Sequence, residues 1–294
     1  MTARKRKAGP VESPFLAPVD GSFLREDFST LPPKDAPGKK AARERLETCI
    51  SILDEQQRRL YAHQRHALLL IFQAMDAAGK DGTIRAVMRG IDPAGCHVFS
   101  FKQPSPLELN HDFLWRTNRC LPERGNIGIF NRSYYEEVLV VRVHPEHLDQ
   151  QRLPEPASLQ QLWQDRYESI RCHEQHLARN GTLVLKFWLN ISRKEQRKRF
   201  LSRIDEPEKN WKFSEADVRE RQHWDAYMEA YQEAIANTAR PWAPWYVIPA
   251  DDKGYMRLCV AEIITASLQQ LELEYPRLSE TELQRIQSLR SLLE

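Results

Sequence analysis

The chain has 294 residues, with 43 Lys and Arg against 41 Asp and Glu and a formal net charge of +2 at pH 7. Near-neutrality excludes a general nucleic-acid coater, so any anion site must be local. With 41% hydrophobic and 29% charged residues, the composition is globular rather than disordered or collagen-like.

Residues 1–40 hold six of the eighteen prolines and read as an extended arm, because proline resists both helix interiors and central strands. Its basic tetrad Arg4–Lys7 reads as a solvated terminus, and Phe15, Phe23 and Phe28 are expected to pin the arm to the main domain, 41–272. From Ala42, the apolar residues Leu46, Cys49, Ile50, Leu53 and Leu60 recur at helical spacing to about residue 62. Next, His66–Phe72 is apolar on both faces, as in the central strand of a parallel sheet covered by helices. Further strands are expected at Cys96–Phe101, Asn126–Phe130, Thr182–Leu189 and Trp245–Ile248. Helices are expected over 83–90, 106–120, 134–143, 158–179, 193–204, 215–238 and 255–271. Capping boxes, Ser followed three residues later by an acceptor side chain, mark several starts: Ser105/Glu108, Ser133/Glu136, Ser158/Gln161, Ser192/Glu195 and Ser214/Asp217. Ser279/Glu282 opens a C-terminal helix within 273–294, whose Leu283, Ile286 and Leu293 suggest docking on the body or on another subunit. The alternation predicts a doubly wound α/β fold with a parallel five-stranded sheet and a ligand site beyond the strands' carboxyl ends.

No apolar run exceeds Ala67–Phe72, far short of the ~20 residues that cross a bilayer, so no membrane association is expected. No apolar stretch of a secretory signal follows the basic N-terminus. The five cysteines are scattered and never form C-x-x-C, which argues against a disulfide framework and a zinc cluster and for the cytoplasm. His66, His97, His111 and His144 lack metal-ligand spacing and read as structural or surface residues.

After the first strand come Gln73-Ala-Met-Asp76-Ala-Ala-Gly79-Lys80-Asp81-Gly82-Thr83 and a helix. A strand, glycine loop and helix in this order aim backbone N–H groups and the helix N-terminus at phosphate oxygens, with Lys80 as a point charge. The candidate phosphate-binding residues are Ala78, Gly79, Lys80, Asp81, Gly82 and Thr83. Two positions depart from G-x-x-x-x-G-K-[ST]: Ala74 replaces the first Gly, and Asp81 replaces the metal-binding hydroxyl. Asp76 and Asp81 would repel a bare phosphate, but Mg2+ shared between carboxylate and phosphate oxygens resolves the conflict, with Asp76 as the candidate ligand. Asn131 ends the third strand where a Walker B group stands, and Arg132 follows as a planar multi-donor clamp. Asp76, Lys80, Asn131 and Arg132 form the candidate catalytic set.

Asp76-Ala-Ala-Gly-Lys-Asp-Gly-Thr83, Ser100-Phe-Lys-Gln-Pro104, His111-Asp-Phe-Leu-Trp-Arg116 and Phe130-Asn-Arg-Ser-Tyr-Tyr-Glu136 together resemble the polyphosphate kinase 2 family over roughly residues 40–270. The resemblance implies a thymidylate-kinase-like P-loop fold, Mg2+, and reversible phosphoryl transfer between inorganic polyphosphate and adenine nucleotides. Asn131 with the following Tyr-Tyr-Glu-Glu-Val-Leu resembles the subgroup using both AMP and ADP. A homo-oligomer, dimer or tetramer, is expected. The resemblance also implies that Lys102 and Arg116 contact polyphosphate, and that a mobile helical lid occupies about 193–215. Eight basic and four acidic residues crowd Arg193–Lys212. Arg193 and Arg203 are its expected phosphate contacts, with Arg199 facing away from the Arg193/Arg197 and Lys194/Lys198 ridges as a bystander. Trp211, Phe213, Trp224 and Tyr227 read as packing residues rather than a base platform. The competing readings are an ATP-dependent kinase of the same fold and a non-catalytic polyanion binder, and the second gives Asp76 and Asp81 no role.

Overall fold

A computed structural model describes residues 9–154, 156 and 158–294; the basic tetrad Arg4–Lys7 lies outside them. The elements in chain order are α1 (Lys39–His63), β1 (Ala67–Gln73), α2 (Lys80–Val87), β2 (Cys96–Ser100), α3 (Pro106–Leu109), α4 (Trp115–Asn118), β3 (Ile127–Asn131), α5 (Val140–Val143), α6 (Leu159–Arg179), β4 (Thr182–Asn190), α7 (Arg193–Asp205), α8 (Glu215–Glu220), α9 (Trp224–Thr238), β5 (Trp245–Pro249), α10 (Lys253–Gln269) and α11 (Glu280–Ser288). Short 3-10 turns join several of them.

All neighbouring strands are parallel, in the order β2-β3-β1-β4-β5. β1 is central and every one of its residues is buried, as its two-sided apolar run requires. Helices α1, α2 and α10 pack together as one layer, while α5, α6 and α9 form a second. The chain leaves β1 for β2 and β3 on one side and reaches β4 on the other, so a crevice opens at the carboxyl end of β1. There Phe72 pairs in register with Asn131 on β3 and with Phe187 on β4.

The arm closes the free edge of β5. Ala17 N donates to Trp245 O at 2.9 Å and Val247 N to Phe15 O at 2.8 Å, which pairs an edge that would otherwise recruit another chain. Phe23 is buried against Phe28 and Trp188, as expected of a pin, and Asn190 Nδ2 holds Phe28 O at 3.0 Å.

Three expected helices are interrupted. The segment 106–120 splits into α3 and α4 because Asp112 Oδ1 accepts from Leu114 N at 2.9 Å in an Asx turn, while His111 Nδ1 engages Leu107 O at 2.9 Å. The segment 134–143 opens as a 3-10 turn, Tyr134–Val138, before α5. Ser133 Oγ accepts from Tyr135 N there rather than completing a box with Glu136. The segment 215–238 breaks at His223 between α8 and α9, and Ser214 makes no cap, since Asp217 pairs with Arg203. The boxes at Ser105 and Ser279 are complete. α11 does not dock on the body: Leu283, Ile286 and, beyond its end, Leu293 are exposed.

The Tyr134 and Tyr135 rings are drawn under the sheet by a buried ion pair. Lys186 Nζ lies 2.6 Å from Glu174 Oε2 and donates to Tyr135 Oη and Thr238 O at 2.9 Å, while Glu174 Oε1 accepts from both tyrosine hydroxyls at 2.9 Å. Both charged side chains are fully buried. Removing one partner strands the other, so Lys186→Met is expected to cost ~3–5 kcal/mol in urea unfolding. The double variant Lys186→Met/Glu174→Gln is expected to recover part of that loss; equal losses for the two would show that the pair is not coupled.

Candidate active site

The loop between β1 and α2 gathers its backbone N–H groups on one side by giving up its carbonyls on the other. Gly79 takes a left-handed conformation at φ 107°, where a Cβ would meet Met256 Cε at 3.3 Å, so glycine is required. Ala77 and Arg132, at φ 61° and 63°, are non-glycine residues in the same region, a strain of ~1–3 kcal/mol each that the surroundings hold in place. Among the described residues, the N–H groups of Gly79, Lys80, Asp81 and Gly82 have no protein partner, so the start of α2 presents an anion cradle.

Lys80 is nine-tenths buried, and its Nζ donates to Ala74 O at 2.9 Å. Ala74 thus contributes its carbonyl where the usual loop has its first glycine. Burial, and then the nearby Arg132 charge, lower the Lys80 pKa, against the pull of Asp76, Glu136 and Asp81. An incoming phosphate favours the ammonium form. Ala78 N is spent on Met75 O, and Thr83 turns inward to give both its N–H and its hydroxyl to Gly79 O at 2.9 and 3.0 Å. Those two residues shape the loop rather than offer it donors.

The end of β3 meets this loop. Asn131 Nδ2 donates to Asp81 Oδ1 at 2.7 Å, and Arg132 Nη2 donates to Asp76 Oδ1 at 2.9 Å, with Glu136 Oε2 3.5 Å from Arg132 Nη1. The proposed catalytic set therefore converges: Asp76, Lys80, Asn131 and Arg132 share one face. Glu136, which is absent from the sequence-derived set, is raised in pKa by burial and opposed by Arg132 and Lys80. The donor set fits a hard divalent cation. Asp76 and Asp81 offer carboxylate oxygens beside the phosphate cradle, the oxygen ligands that such a cation shares with phosphate and water.

Arg199 is no bystander. It does face away from the exposed ridges of α7, but inward, where Nη1 donates to Ala77 O at 3.2 Å and Ala78 O at 2.7 Å. Its Nη2 reaches Ala250 O at 2.7 Å and Asp251 O at 3.1 Å, and Nε is held by Glu195 at 2.9 Å. Gln196 Nε2 adds Asp76 O at 2.9 Å, so α7 takes three successive loop carbonyls. The charge run masked this role because its spacing identified ridges and gave no sign of which ridge was buried.

The other basic candidates divide. Arg221 Nη1 donates to Gln196 Oε1 at 2.6 Å, and its pKa is lowered by burial and by the neighbouring charges of Arg193 and Arg197. Arg193 thus belongs to a three-arginine cluster one residue removed from the loop. Arg203 is tied to Asp217 and Lys212 O, both at 3.1 Å, within the segment itself. Lys102 is exposed just beyond β2, beside the strand that ends in Asn131. Arg116 is buried, donating to Lys102 O at 2.7 Å. Trp224 and Tyr227 pack inside as expected, whereas Trp211 and Phe213 are exposed. His66 Nδ1 lies 3.3 Å from Gly181 O and His144 Nε2 lies 2.9 Å from Glu220, both remote from the loop contacts.

Arg199→Ala removes four contacts to backbone carbonyls and is expected to cost about 2–4 kcal/mol in urea unfolding. Exposed Arg197→Ala is expected to stay within ~0.5 kcal/mol of the parent. Equal stability of the two variants would remove Arg199 from the support of the loop.

Known proteins resemble this chain over most of its length. The family model described as Polyphosphate kinase 2 (PPK2) matches residues 37–276. An ADP-polyphosphate phosphotransferase of Rhodopseudomonas palustris is 55% identical over 260 residues, covering 87% of this chain and 90% of that protein. An AMP/ADP-polyphosphate phosphotransferase of Meiothermus ruber is 47% identical, covering 82% and 86%. The crystal structure of polyphosphate kinase 2 from Arthrobacter aurescens TC1 superposes with a TM-score of 0.85 at 35% identity, covering 95% of this chain and 97% of that one. With a P-loop kinase fold, a phosphate cradle facing Asp76 and Arg132, and this extent of similarity, the chain belongs to the polyphosphate kinase 2 family.

Proposed function

We propose that this protein transfers a terminal phosphoryl group reversibly between inorganic polyphosphate and ADP, and also converts AMP to ADP, with Mg2+. The observation that carries the reading is the convergence of Lys80, Arg132, Asp76 and the Asn131–Asp81 pair around one cradle of free N–H groups. A pure anion binder gains nothing from the carboxylates. The relatives' names, ADP-polyphosphate and AMP/ADP-polyphosphate phosphotransferase, support polyphosphate over ATP as the donor.

The attacking atom of AMP or ADP is a phosphate oxygen already ionised near neutral pH, so no general base is required and positioning with charge neutralisation dominates. The N–H cradle and Lys80 hold the donor phosphates. Arg132, placed by Asp76 and Glu136, offers its remaining N–H groups to the transferred group. Asp76 would hold Mg2+, with Asn131 and Asp81 orienting its waters; bound there, the ion would neutralise charge on the phosphate oxygens. The segment from Arg193 acts as the lid, with Arg193 and Arg203 as its phosphate contacts and Lys102 and Arg116 supporting the opposite wall. A cytoplasmic homo-oligomer, dimer or tetramer, is the proposed state.

Nucleotide chromatography after incubation with Mg2+, long-chain polyphosphate and ADP or AMP is expected to show ATP or ADP. Phosphorylation of another metabolite by ATP, with polyphosphate inert, would overturn the assignment. Lys80→Ala and Asp76→Asn are each expected to lower kcat ~100-fold or more with Tm nearly unchanged, because both act on charge at the reacting phosphates. Arg193→Ala/Arg203→Ala is expected to raise the polyphosphate KM and flatten its salt dependence. Exposed Arg219→Ala is the control, and an equal effect there would reduce the lid to a solvated face.

A further inference from the structure

Between Phe200 and Trp224 the chain has no core of its own. No residue from Leu201 to His223 is buried, and Leu201, Ile204, Trp211, Phe213 and Val218 are exposed. The segment is held together by polar contacts, with Arg203 joining the end of α7 to Asp217 of α8 at 3.1 Å. Polar contacts therefore also set where it lies against the body, because little buried apolar surface resists its displacement. At its entry, Arg199 and Gln196 fix α7 to the phosphate loop. Its exit is fixed at Glu220 and Arg221.

His144, at the end of α5, is the centre of the exit contact. Its Nε2 lies 2.9 Å from Glu220 Oε2, to which Tyr227 Oη on α9 donates at 2.7 Å, and its Nδ1 lies 3.2 Å from Glu146 Oε1. Carboxylates only accept, so both ring nitrogens donate only in the imidazolium form. A neutral ring turns one lone pair toward a carboxylate and loses that contact. Two more imidazoles pack on it, His223 with ring centres 4.8 Å apart and His147 at 5.8 Å, while Arg142 on α5 is engaged by Glu233 and Tyr167. Two carboxylates thus face a side chain of the type whose charge changes between about pH 5 and 8. Glu220 is followed by Arg221, whose Nη1 donates to Gln196 Oε1 at 2.6 Å, and Gln196 Nε2 in turn holds Asp76 O at 2.9 Å. The contact that fastens the exit of the lid is therefore one residue and two hydrogen bonds from the backbone of the phosphate loop.

We infer that His144 is a positioning residue for phosphoryl transfer: protonated, it bridges Glu146 and Glu220, latches the exit of the lid and so holds Arg221 in place beside the phosphate loop. The inference rests on the proposed function, in which this segment contacts the donor phosphates, and adds the group that decides how firmly the segment is held. His144 touches no reacting atom. It acts through Glu220, at the opposite end of the segment from Arg199. The latch is complete at low pH. As pH rises, His144 loses its proton, keeps one of its two contacts without the attraction of opposite charges, and the exit loosens. A neutral amide at the same position donates from one atom only, so His144→Gln resembles the deprotonated enzyme at every pH.

Hydrogen exchange of the free enzyme reads the latch, and steady-state kinetics reads its consequence. At about pH 6 the amides of 214–223 are expected to exchange about five-fold faster in His144→Gln than in the parent, the size of a half-exposed ion pair, and equally fast at about pH 8.5. Comparing the two proteins at each pH cancels the pH dependence of exchange itself. The polyphosphate KM is expected to follow, about five-fold higher in the variant at the lower pH and equal at the higher, with kcat changing less than about two-fold. Ionisation of the substrates is common to both proteins and cancels in the ratio. Glu220→Gln, which weakens the contact from the other side, is expected to repeat the loss at the lower pH, and exposed His97→Gln on β2 to change nothing. A loss of equal size at both pH values, unchanged exchange, or an equal effect of His97→Gln overturns the latch while the phosphotransferase reading stands. A parent without polyphosphate turnover overturns that reading, and the exchange results, which need no substrate, then decide the latch alone.

Discussion

A phosphate loop works only if its carbonyl oxygens point away from the phosphate, and in this protein a single guanidinium enforces that. Arg199 collects Ala77 O and Ala78 O on one side and Ala250 O and Asp251 O on the other, while Gln196 takes Asp76 O. Five carbonyls from two strand ends are thus fixed by one turn of α7. The planar fork matters, because an ammonium at this position has neither the reach nor the geometry to serve both strands. The same contacts fix the base of the proposed lid. Ser192 caps α7 on Glu195 N at 3.0 Å and is itself held by Asp251, so the first turn of the helix is anchored to the end of β5.

Electrostatic balance at the cradle follows from this fixed backbone. Lys80 and Arg132 face Asp76, Asp81 and Glu136, so the catalytic pocket is close to neutral before substrate arrives. Positive charge gathers at its margin, where Arg221 is lowered in pKa by burial and by the neighbouring Arg193 and Arg197. A balanced centre on a fixed backbone suits phosphoryl transfer, and charges at the margin are more exposed to screening by salt.

Much of this was legible in the sequence because the relevant signals are local. The five strands fall within a residue or two of their expected bounds, since two-sided apolar runs bounded by turns leave little choice of period. The loop was legible from Gly79-Lys80 between a strand and a helix, and Asn131 and Arg132 from their place at a strand end. What was not legible is long-range. Ser214 has the spacing of a capping box, yet Arg203 on α7 claims Asp217. The tyrosine pair after Arg132 leaves helical geometry to reach Glu174, about forty residues away, where a fully satisfied buried network outweighs local propensity. Arg199 is indistinguishable from its neighbours in a basic run until the packing of α7 is known.

The arm shows how a segment without periodicity acquires function through what it covers. It supplies backbone partners to β5 through Phe15 and Ala17, buries Phe23 against Trp188, and returns past Asp251, where Thr30 O accepts from Asp251 N at 3.0 Å. Asp251 is therefore shared by the arm, by the cap of α7 and, through its carbonyl, by Arg199. Prolines 32, 33 and 37 keep this stretch out of a helix, and Ala36 N donates to Pro33 O at 3.0 Å, so the chain turns there before it enters α1 at Lys39. The seating of the arm on β5 and at Asp251 rests mainly on backbone groups, which any side chain can bring along, and a periodic apolar pattern is therefore not needed to place it.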